Sequence, residues 1–408
     1  MEEFDIAVIG GGMVGASLAL AAAAAGRRIV LIEGTSPDSR THHSFDERTT
    51  ALGNASRRIL EALGVWGGVA ELCGLIRTIH VSDAGRLAFA RLVAQQQGIE
   101  AFGFVVPNRV LGAALWEQIR RNPAISVRMP ATVESVSTDT AGATVTLAGR
   151  RDGQGDGGPT VFRARLAVAA DGAHSAVRRD AGITVTESDY GQVAIVANVA
   201  TDAPHDGTAY ERFTAAGPLA LLPLHDGSYT VVWARAPEVA AATLGASDDA
   251  FLGLLQQHFG WRVGKFMRVG RRAGYPLKLT RADAAVAQRT VLIGNAAQSL
   301  HPVAGQGFNL ALRDVAALAE LVAQDGDPGA AALLERFAQG RALDRRGVTR
   351  FTDGLIRLFG DTRAPVRMAR DAGLLLFDLL PPAKSALARV SLGFGGRSPR
   401  LARGLPLR

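Results

Sequence analysis

One short stretch near the N-terminus constrains the fold of this chain more than any other. An apolar run, Phe4–Ile9, ends in Gly10-Gly11-Gly12-Met13-Val14-Gly15. An alanine-rich apolar segment, Met13–Ala25, follows and stops at Gly26, and a second apolar run, Arg28–Glu33, comes next. Four to eight apolar residues bounded by glycine read as a buried strand, and the longer run with a terminal glycine reads as a helix. The order is strand, helix, strand, which predicts two parallel strands joined by a right-handed crossover. The G-x-G-x-x-G spacing then has a physical meaning. Gly10 makes the tight turn, Gly12 lets the backbone approach a pyrophosphate, and Gly15 lets the helix pack on the strand. The helix N-terminus offers free N–H groups and its positive dipole end to the phosphates. Glu33, closing the second strand, can accept from both ribose hydroxyls, and its charge disfavours a 2′-phosphate. This motif alone does not separate NAD from FAD.

Beyond the first unit the pattern changes. Leu75–Ser82, Val193–Val199, Thr208–Phe213, Pro218–Leu224 and Tyr229–Ala234 read as strands in succession, which predicts a mixed or antiparallel sheet. Two further buried strands, Leu166–Ala170 and Arg289–Ile293, each run into a glycine-containing turn, and a long helix is predicted to start near Gly307. The nucleotide-binding parts thus come from three separate stretches, with the antiparallel strands inserted between them. The expected boundaries are 1–74, 100–182 and 276–330 for the discontinuous nucleotide-binding domain, 75–99 and 183–275 for the inserted sheet, and 331–408 for a helical C-terminal region with breaks at Pro365 and Pro381-Pro382. Gly149–Pro159 reads as an exposed hairpin connection.

Composition excludes several classes. The single cysteine, Cys73, allows neither an internal disulfide nor a cysteine zinc site, and it reads as a buried, inert thiol. The eight histidines show no H-x-x-x-H spacing, so no metal site is expected, and there is no G-x-S-x-G elbow or P-loop. His42 and His43 read as surface residues. The acidic start (Glu2, Glu3, Asp5) is unlike a signal peptide, and Met13–Ala25 is too short to span a bilayer. From Glu335 onward the chain carries 15 Lys and Arg against 6 Asp and Glu, more than its whole net charge of +7. Such a stretch fits nucleic acid, an anionic lipid surface or an acidic partner, or is a solvated arginine-rich helical face.

Two later motifs decide between the dinucleotides. Ala170-Asp171-Gly172-Ala173-His174-Ser175-Ala176-Val177-Arg178 follows one buried strand. Gly294-Asn295-Ala296-Ala297-Gln298 follows another and leads into His301-Pro302-Val303-Ala304-Gly305-Gln306-Gly307-Phe308-Asn309. With these, the chain resembles the class A flavoprotein monooxygenases, the para-hydroxybenzoate hydroxylase superfamily. Within it the chain resembles the ubiquinone-biosynthesis hydroxylases, through GNAAQSLHPVAGQGFNLALRDV. The segments HVSDAGR, VAIVANVAT, ERFTAAGPLALLPL and FGWRVGK are similar to the 2-polyprenyl-6-methoxyphenol hydroxylases among them. The likeness runs from the first strand to about residue 395. It implies an α/β fold: a Rossmann-like FAD-binding domain, an inserted mixed or antiparallel β-sheet substrate domain and a C-terminal helical segment.

The resemblance also implies roles. Gly10, Gly12, Met13, Val14 and Gly15 would hold the FAD pyrophosphate, and Glu33 the adenosine ribose. Arg48 and Arg109 match arginines that contact the phosphate and ribityl region, and Val133 a position whose backbone faces the adenine. Asp171 and Gly172 form the Asp-Gly motif that serves FAD and NAD(P)H. Asn295 stands where the superfamily usually carries an aspartate for the ribityl hydroxyls; an amide can accept from one hydroxyl and donate to another, without the charge. Pro302, Gly305, Gln306, Gly307 and Asn309 would bring a helix N-terminus to the flavin's pyrimidine edge, where reduced flavin is negative. No second dinucleotide fingerprint is found, which fits NAD(P)H acting as a transient co-substrate.

The implied reaction is a cycle in which NAD(P)H reduces FAD, dioxygen is activated on the flavin, and one oxygen atom is transferred to an electron-rich phenol. The implied substrate is 2-polyprenyl-6-methoxyphenol, hydroxylated para to its hydroxyl. No protein nucleophile is required; His301 is the one catalytic candidate, as a proton relay or as a structural hydrogen-bonding group. Phe213, Leu221, Pro223 and Trp233 are candidates to line the substrate site, or are ordinary sheet core. A polyprenyl tail implies a cytoplasmic enzyme that visits the inner face of the membrane or takes substrate from a biosynthetic complex. The basic stretch Arg363–Leu392, with Arg363, Arg367 and Arg370, is expected to dock there, with no nucleic-acid partner. Alternatives are a sister hydroxylase acting at another ring position, a flavin-dependent reductase or oxidase without oxygen insertion, and a non-catalytic member of the complex.

Overall fold

A computed structural model describes residues 2–36, 48–86, 88–149, 160–324, 326–361, 363–380, 382, 384 and 398–407. The strand Glu2–Ile9 lies at the centre of the first sheet, with Thr160–Ala169 on one side and Ile29–Ile32 on the other, both parallel to it. Ile125–Arg128 and Thr290–Leu292 extend the parallel sheet outward. The five strands therefore run 3-2-1-4-5, an open α/β sheet whose ligand crevice lies beyond the carboxyl ends of the strands. The helices, in chain order, are α1 (Met13–Ala24), α2 (Asn54–Ala62), α3 (Asn108–Arg121), α4 (Ala176–Asp180), α5 (Pro237–Gly245), α6 (Asp248–Phe259), α7 (Gln306–Val322), α8 (Ala331–Gly360) and α9 (Ala364–Leu379). One face of the parallel sheet packs on α1, α2, α3 and α7 through a continuous apolar core that includes Ile6, Val8, Leu18, Leu31, Leu115, Leu312 and Phe337. The alanine-rich α1 carries no charge and is buried over most of its length, so the third fingerprint glycine meets the sheet directly.

The second sheet has nine strands. Val185–Thr201 is its spine, antiparallel to both Tyr229–Arg235 and Ala273–Ala282. Gly217–Pro223, Thr208–Thr214, Thr78–Asp83 and Phe89–Val93 continue it outward. The expected domain boundary at residue 275 falls inside Ala273–Ala282. Its ladder to Val185–Thr201 continues to Ala282, so the strand stays with the large sheet along its full length. The helices α5 and α6 were not expected from the strand-rich pattern. They cover one face of this sheet, packing Ala240, Phe251, Leu255 and Phe259 onto Ile195, Leu221, Val231 and Trp233.

Strands Ala143–Leu147 and Thr160–Ala169 pair antiparallel, as a hairpin across Gly149–Pro159 requires; residues 150–159 of that connection lie outside the described residues, as do His42 and His43. Cys73 is buried, its thiol donates to the Val69 carbonyl at 3.0 Å, and burial pushes its pKa up to about 12.

Helix α8 is tied to α7 by a buried charge network: Arg341 and Arg345 donate to Asp314 at 2.6 and 2.8 Å, and Arg313 and Arg341 donate to Asp344 at 2.8 and 2.5 Å. Leu401 and Ala402 return to the core beside α2. A buried cation left without its partner is far more costly than the pair is favourable. Asp314→Ala leaves Arg345 without its carboxylate and Arg341 with Asp344 alone, and should lower stability by about 3–5 kcal/mol, read as a shift of the urea midpoint; a change under about 1 kcal/mol would show the network to be dispensable.

Candidate cofactor and substrate site

The carboxyl end of Glu2–Ile9 builds the first part of the site. Gly10 has φ +102°, and a Cβ there would sit 2.5 Å from the Ala170 carbonyl oxygen on the neighbouring strand. A Cβ at Gly15 would sit 1.8 Å from the Gly10 carbonyl oxygen. Both positions are closed to any other residue. Gly12 is the N-cap of α1 with no side-chain cap and no acidic residue in the first turn, so the first N–H groups of the helix face the crevice. Glu33 accepts from the Gly11 N–H at 2.6 Å and from the Thr35 N–H at 2.9 Å, which fixes its carboxylate at the rim of the turn.

The second part comes from the Asp-Gly turn. Asp171 Oδ2 accepts from the Ala176 N–H at 2.9 Å, while Oδ1 is buried with no partner. A buried carboxylate oxygen left unpaired is costly, and a ligand hydroxyl would satisfy it. Arg178, which the motif contains but sequence reasoning gave no role, is 6% exposed. It donates to the carbonyls of Ala173 at 2.8 Å and Ala296 at 3.0 Å, locking the Asp-Gly turn to the Gly294–Gln298 turn. Two carbonyls converging on one buried guanidinium leave no trace in a linear motif.

The third part is the N-terminus of α7, capped by Gly305 at φ +59°. Asn309 differs from expectation. Its Oδ1 accepts from the Gly53 N–H at 2.8 Å and the Ser56 hydroxyl at 2.6 Å, and its Nδ2 donates to the carbonyls of Ala51 and Gly305, both at 2.7 Å. All its hydrogen-bonding capacity is spent on the protein. Asn309 therefore anchors the α7 N-terminus to the strand Thr49–Gly53 and has no side-chain group left for a cofactor. His301 is 2% exposed. Its Nδ1 accepts from the Val303 N–H at 3.1 Å, which leaves the proton on Nε2, and Nε2 is buried without a partner. Its ring meets Tyr190 edge-on at 5.1 Å. Burial pushes its pKa down to about 4, so at neutral pH it is an uncharged N–H donor.

These parts open into one cavity of about 1690 Å³. Gly10, Gly12, Met13, Val14, Glu33, Arg48, Val133, Asp171, Gly172, Asn295, His301, Pro302, Gly305, Gln306, Gly307 and Asn309 all border it. Gly15 lies behind them as a packing contact. The Arg48 guanidinium stacks over the Tyr275 ring at 4.6 Å. Arg109 is exposed in the first turn of α3 and is not part of the cavity wall; its neighbour Asn108 is, and accepts from the Thr50 hydroxyl at 2.7 Å.

The inner face of the large sheet forms the far wall, through small apolar residues such as Ala194, Ala209, Ala220, Val232 and Ala234. Of the four expected lining residues only Phe213 is there, stacked on Phe359 of α8 at 3.7 Å. Leu221 and Trp233 face the opposite side, in the core under α5 and α6. Pro223 shares the parity of Leu221 and is also absent from the wall. The reason is the two-residue period of a strand: the lining positions are Pro218, Ala220 and Leu222, and Val232 and Ala234, one residue out of phase with the expected ones. The larger side chains belong to the core face, and the small ones make room for a ligand. Helices α8 and α9 close the cavity with Phe351, Leu355, Phe359, Leu374 and Phe377, which no motif marked.

An uncapped helix N-terminus, a glycine cradle and an orphaned carboxylate oxygen together fit a dinucleotide whose pyrophosphate meets α1. A family model described as an FAD binding domain matches residues 3–352. The chain is 38% identical over 410 residues to a ubiquinone hydroxylase, UbiL, of Rhodospirillum rubrum, covering 99% of this chain and 93% of that one. The chain belongs to the FAD-dependent aromatic monooxygenases. It is also 30% identical over 398 residues to the 3-demethoxyubiquinol 3-hydroxylase of Escherichia coli, covering 96% and 99%. The fold is similar to that of p-nitrophenol 4-monooxygenase PnpA from Pseudomonas putida, with a TM-score of 0.78 at 20% identity, over 97% of this chain and all of that one. The cofactor is FAD, and NAD(P)H is the co-substrate typical of the family.

Asp171→Ala should weaken FAD binding by roughly 10- to 100-fold, the range for losing a hydrogen bond to a charged group, measured by flavin fluorescence on dilution; unchanged retention would remove Asp171 from the cofactor site. A second prediction concerns pH. His301 and the equally buried His80, also pushed to about 4 by burial and then by Arg262 and Arg91, stay neutral in the fold below their ordinary value of 6.5. The unfolded chain takes up protons there and the fold does not. Their stability contribution is complete above pH about 6.5 and is lost as pH falls toward 4, with a slope approaching about 1.4 kcal/mol per pH unit per group. His301→Gln should roughly halve the part of the slope that these two histidines supply, seen as a smaller difference in urea midpoint between pH 7 and pH 5.

Proposed function

We propose that the chain hydroxylates a polyprenylated phenol of ubiquinone biosynthesis, 2-polyprenyl-6-methoxyphenol, at the position para to its hydroxyl, using NAD(P)H and dioxygen. The observation that carries this reading is the apolar lining of the cavity. The part of the cavity lined by apolar residues of the sheet face (Ile79, Val81, Ala90, Leu92) and of α8 and α9 would be the arm for the tail. A ring held against the flavin would leave a long apolar tail in that arm. The two relatives named above act, by their names, on ubiquinone or its precursors.

Bound FAD supplies the redox chemistry and the activation of dioxygen. The chain's residues do the rest. The α7 N-terminus would offer donors and a positive dipole end to the negative charge of reduced flavin. His301, neutral and with Nε2–H unpaired, would act as a hydrogen-bond donor and not as a base at neutral pH. The sheet face and the phenylalanines of α8 and α9 keep water from the reacting ring. The enzyme would meet its substrate at the cytoplasmic face of the membrane; among the described residues no helix is long and apolar enough to cross one. A second reading, hydroxylation at another ring position, is favoured by the similarity to a 3-hydroxylase.

The test is anaerobic reduction of the FAD-loaded protein by NAD(P)H with and without a short-tailed methoxyphenol, then turnover under labelled dioxygen. Faster bleaching with the phenol and one labelled oxygen para to its hydroxyl are expected. Label at another carbon would support the second reading, and no label in the product would overturn both. Filling the arm with Ala90→Phe should raise KM for a long-tailed substrate roughly tenfold, the cost of excluding a few methylenes, and leave the short-tailed one nearly unaffected.

A further inference from the structure

Helix α9 is built inside out. A helix on a protein surface normally turns its apolar stripe inward and its charges to water. In α9 the charges turn inward. Arg370 is 7% exposed, forms an ion pair with the buried Asp83, and donates to the carbonyls of Leu358 and Phe359 at 2.9 and 3.1 Å. Asp371 pairs with Arg86 at 3.5 Å, and Asp378 accepts from the Arg91 N–H at 3.0 Å. These contacts fasten the helix to the edge of the large sheet. They remove Arg370 from the expected docking set of Arg363, Arg367 and Arg370, because it is a buried clasp, whereas Arg363 stays exposed beside Asp361.

The outward face is apolar instead. Pro365, Met368, Ala369, Ala372, Gly373 and Leu376 are exposed at three- and four-residue spacing, and Leu380 extends the row. Met368 is 70% exposed and Leu376 58%. Large exposed apolar side chains in one continuous row mark a contact surface.

We propose that this face of α9 rests on an anionic lipid surface and delivers the substrate's tail from the lipid into the cavity. Two observations select lipid as the occupant. First, the row is continuous with the cavity wall: Pro365, Ala369 and Gly373 are exposed and line the cavity, as does Leu358, which is 44% exposed. A tail passing along the row stays out of water until it is inside. This step rests on the reading that the substrate carries such a tail. Second, residues 361–408 hold nine Lys and Arg against three Asp and no Glu, and with Arg370 turned in on Asp83 and Lys384 on Asp378 the stretch still keeps an excess of arginine, a charge complementary to anionic headgroups. At 16 residues α9 is too short to cross a bilayer and lies along its surface.

The experiment is co-sedimentation of the full-length, FAD-loaded protein with vesicles of phosphatidylethanolamine and phosphatidylglycerol, compared with phosphatidylcholine alone. The variant is M368D/L376D, both at positions exposed to water and outside the cavity wall. Wild-type protein should bind the anionic vesicles. The variant should partition at least roughly tenfold less, while keeping the same thermal midpoint and the same turnover of a short-tailed phenol in solution. Absence of wild-type binding, or equal binding by the variant, overturns the proposal. So does a wild-type dimer that the variant converts to monomer while vesicle binding is unchanged, because the row would then be covered by a second copy. If the wild type fails to turn over any phenol, the substrate reading fails alone, and vesicle partition still decides the docking.

Discussion

The site depends on one close approach. Gly10 packs against the Ala170 carbonyl at the carboxyl end of the central parallel strand, and Gly15 packs against the Gly10 carbonyl. With side chains there, α1 could not begin where it does, and its N-terminus would not meet the crevice. Everything else at the cofactor end is arranged around that turn: Glu33 bound to the Gly11 N–H, the Trp116 indole donating to the Gly11 carbonyl at 3.2 Å, and the Asp-Gly turn alongside. Arg178 and Asn309 then join the segments that chain order keeps apart, the first by two carbonyls and the second by four hydrogen bonds. Neither needs to touch a cofactor to be necessary for its site.

The substrate end is governed by a division of labour between the two faces of one sheet. The face toward α5 and α6 takes Ile195, Leu221, Val231 and Trp233 and is filled as a core. The face toward the flavin takes alanines and valines and leaves space. The same strands thus stabilise the domain on one side and leave a cavity on the other, and a shift of one residue in register would exchange the two.

The C-terminal helices complete the enclosure by different means. Helix α8, which contributes to the wall of the cavity, is fixed to α7 through paired buried charges. Helix α9 is held at the cavity mouth by Arg370 and Asp83. Spending its charges on the protein leaves an apolar face to the outside, continuous with the cavity wall.

The sequence alone determined the parts whose chemistry is local. The strand–glycine–helix order, Glu33, the Asp-Gly turn and the α7 N-terminus are legible because backbone approach and helix ends demand specific residues at fixed spacing. The succession of strands also predicted the second sheet, and Pro365, in the first turn of α9, marked the break between α8 and α9. What only the tertiary structure decided is which face each residue takes and what its polar atoms meet. Leu221 and Trp233 look like good walls for an aromatic ligand, but strand parity sends them into the core. Asn309 and Arg370 look like a cofactor contact and a surface charge. Each is instead consumed by partners that lie, for Gly53 and Asp83, more than 250 residues away in the chain. Pairing over that distance is set by the packing of whole sheets and helices, which no short window of sequence encodes.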